Sequence, residues 1–553
     1  VVNFLKFSKW IVTMCGLAAC LLMPGSSLEA IWLPAETISD PSIDVSALNG
    51  PTMGVTPQGN VVAVWVDRTY PPDDRFEDVV MSSFYTPNVG WSAPQVISSL
   101  QINTADKQLY SAQDDPDVAI NSSNYAVAAW EGEYSEDEFP QVTIAAVRDS
   151  NGTWGPVSVI SSLSGDSRAV NVNVALNEAG TAVAAWRETY EYPPDGPTVD
   201  RTVISILPFG GSWSPFVVIS GDEVAFGDSD NKPCVQINAD GDIVVVWRRR
   251  FEAGVWGIAA ATYDATTSTW SSPVTLDTTV SDLSYNPRVA IDSNGNAIAI
   301  YSIGNSIKSS YFNGTSWLPP VVVSTDSDET EDPSIVVDPM GNATATWTSN
   351  SGQVLSSSLP AGGSWTAPVV ISVGDSFTDP FMSQEALAVD ADGNVIAIWE
   401  NDDTGALISA YKLFGQPWQA PETIFSGNDV IYPSIGLASC GLAVAVWQET
   451  PEEGLTQVMA AFNGNILTPT NARGKKCCDT FAVQKRCLTK LSWDASDCIR
   501  YFNIWKNGQL LTQVPGTAAA KFTDPLGCKG RNIYTISSVN TFGFESARVP
   551  FSF

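Results

Sequence analysis

The chain has 553 residues, 44% of them hydrophobic and 10% aromatic, with 28 Lys and Arg against 60 Asp and Glu and a formal net charge of −32. That length exceeds one ordinary core and that apolar content builds packed interiors, so two or more folded domains are expected and global disorder is excluded. Residues 31–470 carry 14 Lys and Arg against 54 Asp and Glu, whereas residues 471–553 carry 12 against 5. The larger part therefore repels nucleic acid and anionic headgroups, and it favours cations or a basic protein surface as partners.

In chain order, residues 1–30 read as an export signal. Lys6 and Lys9 precede an apolar run from Trp10 to Met23, and Leu28-Glu29-Ala30 supplies a small-residue cleavage site. The run is short for a membrane span, and no second one follows. The mature chain is thus expected outside the cytoplasm: secreted, periplasmic or at the cell surface. Lipid anchoring at Cys20, within Leu17-Ala18-Ala19-Cys20, is the alternative.

A repeat dominates residues 31–470. A Trp-x-x-Pro signature or close variant, followed by β-branched residues, starts at Trp32, Trp91, Trp154, Trp213, Trp270, Trp317, Trp365 and Trp418. A second signature, a strand–turn–strand hairpin, ends in an aromatic at Trp65, Trp130, Trp186, Trp247, Tyr301, Trp347, Trp399 and Trp447. Each unit reads as four short strands, A to D. In the unit after Pro333, strand A is 334–338, strand B is 343–347, strand C is 354–359 and strand D begins at Trp365. Four strands per repeat of this length indicate an all-β fold, an eight-bladed β-propeller. The first Trp-x-x-Pro strand precedes any hairpin and the last hairpin lacks one, so the N-terminal strand is expected to complete the final blade. The repeating aromatics are expected to pack between blades.

The hairpins ending VDPMGNATATW at Trp347 and VDADGNVIAIW at Trp399 resemble those of secreted bacterial propeller-repeat proteins. The turns Gly210-Gly211-Ser212-Trp213 and Asn151-Gly152-Thr153-Trp154 resemble degenerate relatives of the sialidase-type Asp-box, whose aspartate and spacing are not regularly kept here. Residues 471–553 form a separate domain. Leu491-Ser492-Trp493-Asp494, Tyr501 to Gly508 and Tyr534 to Asn540 resemble the B, C and F strands of a fibronectin type III-like sandwich. The resemblance implies core and turn roles for these residues. Five cysteines, Cys477, Cys478, Cys487, Cys498 and Cys528, are disulfide candidates of open connectivity, and their odd number allows an intermolecular bridge. Cys234 and Cys440 read as isolated buried thiols.

The chain has no histidine, which excludes Ser-His-Asp and Cys-His catalysis and histidine-bound metals. Turns such as Asp390-Ala391-Asp392-Gly393-Asn394 invite a calcium reading. Their glycine recurs while the acidic positions do not, as at Gln58, Ala179 and Met340, so a backbone turn explains them better. No cofactor is predicted, with Ca2+ at the acidic loops the one alternative.

The long B–C and D–A connections share one face and are acidic and tyrosine-rich. Long loops on a rigid scaffold are where binding sites lie. The ligand-binding candidates are Tyr70, Asp73, Asp74, Glu131, Glu133, Tyr134, Arg187, Tyr190, Tyr192, Asp195 and Arg248. The expected function is a surface or envelope binding or adhesion protein that takes a basic protein or a glycan. The alternative is a carbohydrate-active hydrolase or lyase. It would use Glu131, Glu133, Glu188, Glu191 or Asp195 as acid, base or nucleophile, and Arg187 with Arg248 to hold an anionic group.

Overall fold

A computed structural model describes residues 32–463 and 469–553 apart from loop segments. The segments left out are 47–49, 70–76, 99–109, 134–140, 163–166, 192–197, 225–232, 252–254, 280–283, 304, 325–329, 350, 374–385, 402–403, 428, 453, 482–483, 495–498, 517–519, 527–531, 541–542, 544 and 547. The leader with Cys20 and the candidates Tyr70, Asp73, Asp74, Tyr134, Tyr192, Asp195, Cys498 and Cys528 lie outside the described residues.

Residues 36–463 form eight antiparallel sheets. The third is representative: Ser167–Leu176 is its inner strand, followed outward by Ala182–Glu191, Thr198–Leu207 and the short Val217–Val218, with Glu223–Val224 also pairing the third strand. The inner strands of the eight sheets are Thr52–Val55, Tyr110–Ile120, Ser167–Leu176, Cys234–Ile237, Ser284–Ile291, Thr330–Val337, Leu387–Val389 and Val430–Leu437. Each lies against the inner strand of the next sheet, and the eighth lies against the first. The cycle is sealed by the N-terminal strand Glu36–Thr37, which pairs antiparallel with Gln457–Asn463, Glu36 opposite Ala460 and Thr37 opposite Met459.

The side-chain alternation of strand B explains why the sheets stack face to face. Each strand-B aromatic enters a cluster shared with the preceding sheet. Trp130 packs with Val62, Val64 and Val66 of the first sheet, Trp186 with Ala129 and Ala145 of the second, and Trp65 with Val444 and Val446 of the eighth. All eight aromatics are fully buried. Burying a side chain of that size contributes roughly 2–3 kcal/mol, and the repeat supplies it eight times. The Trp-x-x-Pro tryptophans are only half-buried.

Two features differ from the expected strand pattern. In several units the Trp that was expected to begin strand D makes only an isolated bridge to the end of strand C, as in Arg148–Trp154, Phe312–Trp317 and Lys412–Trp418. The ladder resumes past the proline, in pairs such as Val321–Val322 and Val369–Val370, because proline has no N–H to give it. The inner strands also carry bulges, with register shifts at Asp114/Asp117, Val170/Asn173, Tyr285/Arg288, Glu331/Ser334 and Ile431/Ser434. Asp115, Asn171 and Tyr432 sit there at φ of 46°, 60° and 53°. Tyr432 is accommodated by Gly50, just before the first sheet's inner strand, where an added Cβ would run into the Tyr432 side chain.

The A–B turns are closed by their own side chains. Asp390 Oδ1 accepts the N–H groups of Asp392 and Asn394, and Oδ2 accepts Asn394 Nδ2, while Gly393 takes φ 80°.

Residues 473–550 form two further sheets. One orders Arg473–Phe481, Gln484–Ser492 and Lys521–Asp524, and the other orders Gln509–Pro515, Ile499–Lys506, Tyr534–Asn540 and Val549–Pro550. Trp493, Phe502, Ile504, Tyr534 and Ile536 share the core between them. Asn507 and Gly508, at φ 53° and 81°, make the tight turn after the Ile499–Lys506 strand. In backbone register Cys478 stands opposite Cys487. Cys234 is buried, and Cys440 lies in the short 3-10 turn Ser439–Gly441. No described helix is long and apolar enough to cross a membrane.

Candidate functional site

Strand A starts, strand B ends and strand C starts at the same edge of each sheet, so the B–C and D–A connections emerge together. One residue past each strand-B aromatic, the alternation turns the side chain toward the following sheet. These positions are Val66, Glu131, Arg187, Arg248, Ser302, Thr348, Glu400 and Gln448. Seven are polar, and six of those seven are buried, Glu400 alone being more open. The Glu131 carboxylate accepts the N–H of Asn171 in the next sheet. Gln448 Nε2 donates to the Ser46 carbonyl at 2.9 Å, across the seam. Buried polar groups are tolerated when hydrogen-bonded, and these two bonds tie one sheet to the next. Of these residues the sequence reading singled out Glu131, Arg187 and Arg248. It passed over Ser302, Thr348, Glu400 and Gln448, although their position after an aromatic marks them equally.

The third and fourth sheets concentrate charge at this edge. Of the 14 Lys and Arg between residues 31 and 470, six stand here: Arg168, Arg187, Arg201, Arg248, Arg249 and Arg250. Arg201 faces Glu188 in register, bonds Asp222 Oδ1 at 2.7 Å and lies 5.0 Å over the Tyr190 ring. Burial raises the Glu188 carboxyl above its ordinary range, opposed by a Ser167 hydrogen bond and the Arg201 charge. Glu133 is likewise raised by burial, with Arg168 opposing and Asp114 adding to the rise. Arg168 is held by Gln141 Oε1 at 2.7 Å.

Asp200 and Glu223 form a carboxylate pair. They stand directly opposite each other on neighbouring strands, a placement that puts Cβ atoms about 4.5–5.5 Å apart. Thr189 donates its hydroxyl to Asp200 Oδ1 at 2.6 Å. Trp247 Nε1 donates to Glu223 Oε1 at 3.2 Å, and Arg249 Nε lies 3.3 Å from the same oxygen. Burial pushes Glu223 up to about 7, with Arg249 and Trp247 opposing and Asp200 reinforcing the rise. Neither Asp200 nor Glu223 was among the sequence candidates. Their mark is a long D–A connection whose Glu223 returns to the sheet beside strand C.

On the opposite face of the fourth sheet, turned toward the fifth, Trp256 opens strand C. The guanidinium of the buried Arg248 lies 3.9 Å from its ring centroid and that of Arg250 lies 5.1 Å away. Arg250 is half-buried and has no acidic or hydrogen-bonding partner among the described residues; its Nε is wholly enclosed. An arginine held over an indole with no acidic partner among the described residues keeps its charge available for a further contact. The first sheet contrasts with this. There Arg68 grips Asp78 bidentately at 2.8 and 2.7 Å, and Asp67, pushed up to about 6 by burial, accepts Trp65 Nε1.

The sequence candidates thus separate. Arg187, Tyr190 and Arg248 belong to the third and fourth sheets and share this edge. Glu131 and Glu133 stand on the second, where Glu131 ties the sheets together. A signal the sequence reading did not use is the X-Pro step at the entrance of the inner strands. It recurs at Gly50-Pro51, Asp115-Pro116, Lys232-Pro233, Asn286-Pro287, Asp332-Pro333 and Tyr432-Pro433.

No protein-family model and no curated protein matches the chain. Among solved structures, it is similar to the BP39L lectin from Burkholderia pseudomallei at 13% identity and a TM-score of 0.42, covering 69% of this chain and 100% of that one. The Hadza microbial sialidase Hz136 aligns at 12% identity and a TM-score of 0.36, covering 77% and 95%. The intramolecular trans-sialidase from Ruminococcus gnavus aligns at 11% identity and a TM-score of 0.34, covering 64% and 95%.

Proposed function

We propose that the chain is an exported surface or envelope binding protein whose loop-bearing edge, centred on the third and fourth sheets, takes a glycan or a protein. In this reading the eight sheets are the blades of one propeller over residues 31–470, and residues 471–553 are a fibronectin type III-like sandwich. Residues 1–30 direct export, with lipidation at Cys20 the alternative to cleavage near Ala30. Disulfides then form among the cysteines of the C-terminal domain, the facing backbone positions of Cys478 and Cys487 favouring that pair.

The observation that carries the reading is Arg250 beside Arg248 over Trp256, with no acidic partner for its charge among the described residues. A sugar hydroxyl or carboxylate, or an acidic side chain, satisfies such a guanidinium, and the buried Trp256 indole holds it in place. The Asp200–Glu223 pair favours a second reading, hydrolysis, because a carboxyl held near 7 can act as a general acid beside a second carboxyl group.

Immobilised glycans, immobilised proteins and a panel of chromogenic glycosides distinguish the two. Full-length chain is expected to be retained by at least one glycan or protein, and Arg250→Ala is expected to lose about tenfold in affinity, or ~1.4 kcal/mol. Glycoside turnover that disappears in Glu223→Gln would instead establish the hydrolase.

A further inference from the structure

The C-terminal domain carries a charged face that the propeller reading does not use. Its three-stranded sheet holds Lys475 opposite Lys490, which stands opposite Thr523, and Arg473 opposite Ser492, which stands opposite Lys521. Directly opposed residues of a sheet project on the same side. The neighbouring positions Leu491 and Thr489 are buried, with Leu491 in the core shared with the second sheet. Arg473, Lys475, Lys490, Ser492, Lys521 and Thr523 are all exposed, so they line the outer side. Four cations therefore share one small sheet face. The one acidic residue at its edge among the described residues, Asp494, is hydrogen-bonded to Thr470 at 2.9 Å and Asn471 at 2.6 Å.

Placing Lys475 directly across from Lys490 works against the fold, since like charges opposed on a sheet destabilise it. Nothing in the core demands lysine at either exposed position. The domain also does not turn this face to its own propeller region. A hydrogen bond between the two parts, Arg500 Nη1 to Asn88 Oδ1 at 2.8 Å, comes from the other sheet of the domain, through the strand Ile499–Lys506.

We infer that the basic sheet face docks on the acidic eight-sheet region of a second copy of this chain. The complementarity lies within the sequence: residues 31–470 hold 54 acidic against 14 basic residues, and residues 471–553 hold 5 against 12. The two surfaces differ, so the contact is head to tail. Each added copy presents a fresh acidic surface at one end and a fresh basic face at the other, so assembly grows beyond the dimer, as chains or rings. The attraction is between exposed charges, so it weakens as salt shortens the screening distance.

Sedimentation velocity on the full chain tests this at ~20 mM and ~500 mM salt, where screening lengths differ several-fold. The weight-average mass is expected to rise with concentration at low salt and to return to the monomer at high salt. The triple variant Lys475→Glu, Lys490→Glu, Lys521→Glu is expected to stay monomeric at both, with an unchanged circular dichroism spectrum because all three residues are exposed. Added in small amounts to the wild type, it still offers the acidic surface and is expected to cap and shorten the chains. A monomer at every concentration in low salt overturns the inference, as does association of the triple variant equal to wild type. Binding to vesicles of anionic lipid by a chain that does not self-associate overturns it too, and assigns the face to a membrane.

Discussion

Glu223 concentrates the physics of the candidate site in one side chain. Its ordinary value is 4.5 and burial holds it at about 7 in the folded protein. The folded state therefore binds a proton that the unfolded state has released between those two values, so stability present below about 4.5 is lost as pH rises toward 7. Replacing it with Gln keeps an acceptor for Trp247 and removes the charge. Glu223→Gln is expected to match wild type near pH 4.5 and to exceed it at pH 8 by on the order of 3 kcal/mol, seen as a melting temperature that no longer falls across that window. Parallel melting profiles for the two proteins would remove burial as the cause. At this scale the sequence was informative where a repeat position exposed the residue. Arg187 and Arg248 could be marked because they follow a strand-B Trp. Glu223 could not, because its burial depends on a strand pairing with Asp200 that no local pattern announces.

Among the elements, the strand-B hairpins were the most legible, because alternation plus a glycine turn leaves little freedom. The strand read as 354–359 is Val354–Leu359 in the structure. The outer strands were read too early, since the tryptophan announces them but the proline delays the ladder. The bulged inner strands were missed, although their X-Pro steps recur. These bulges matter to neighbouring sheets. Just past one of them, Asp117 Oδ2 accepts Asn173 Nδ2 at 2.7 Å and Val174 N–H at 2.8 Å, and Asn173 Oδ1 accepts Val235 N–H at 2.8 Å. One hydrogen-bonded run thus links the second, third and fourth sheets. Asp117→Ala strands buried donors, each costing about 1–3 kcal/mol. Hydrogen–deuterium exchange is expected to show faster exchange of peptides covering Ser167–Leu176, while peptides from the sixth sheet keep their protection. Equal loss everywhere would mean that Asp117 acts on global stability alone.

For the whole molecule, the count of signatures anticipated which segment meets which. One Trp-x-x-Pro strand stands before the first hairpin, and Glu36–Thr37 lies beside Gln457–Asn463. The sequence could not disclose how the edge loops are disposed, since their variable lengths follow no repeat. Bonds across the seam include Ile38 N–H to the Val458 carbonyl at 2.8 Å, Leu33 N–H to the Phe462 carbonyl at 2.9 Å and Val458 N–H to Ser39 Oγ at 3.0 Å. Ile38→Pro deletes the first of these and is expected to lower the urea midpoint by an amount worth about 1–3 kcal/mol. An unchanged midpoint would show that the cycle stands without its closing strand.

This arrangement also dictates an order of events in time. The ribosome makes residue 36 some four hundred residues before its partner at 460, so no partial chain emerging from it can complete the circle. Closing such a distant contact is slow, and the waiting edge is prone to pairing with the wrong strand. A polypeptide that cannot finish folding while it is being made stays threadable until its last strands are released.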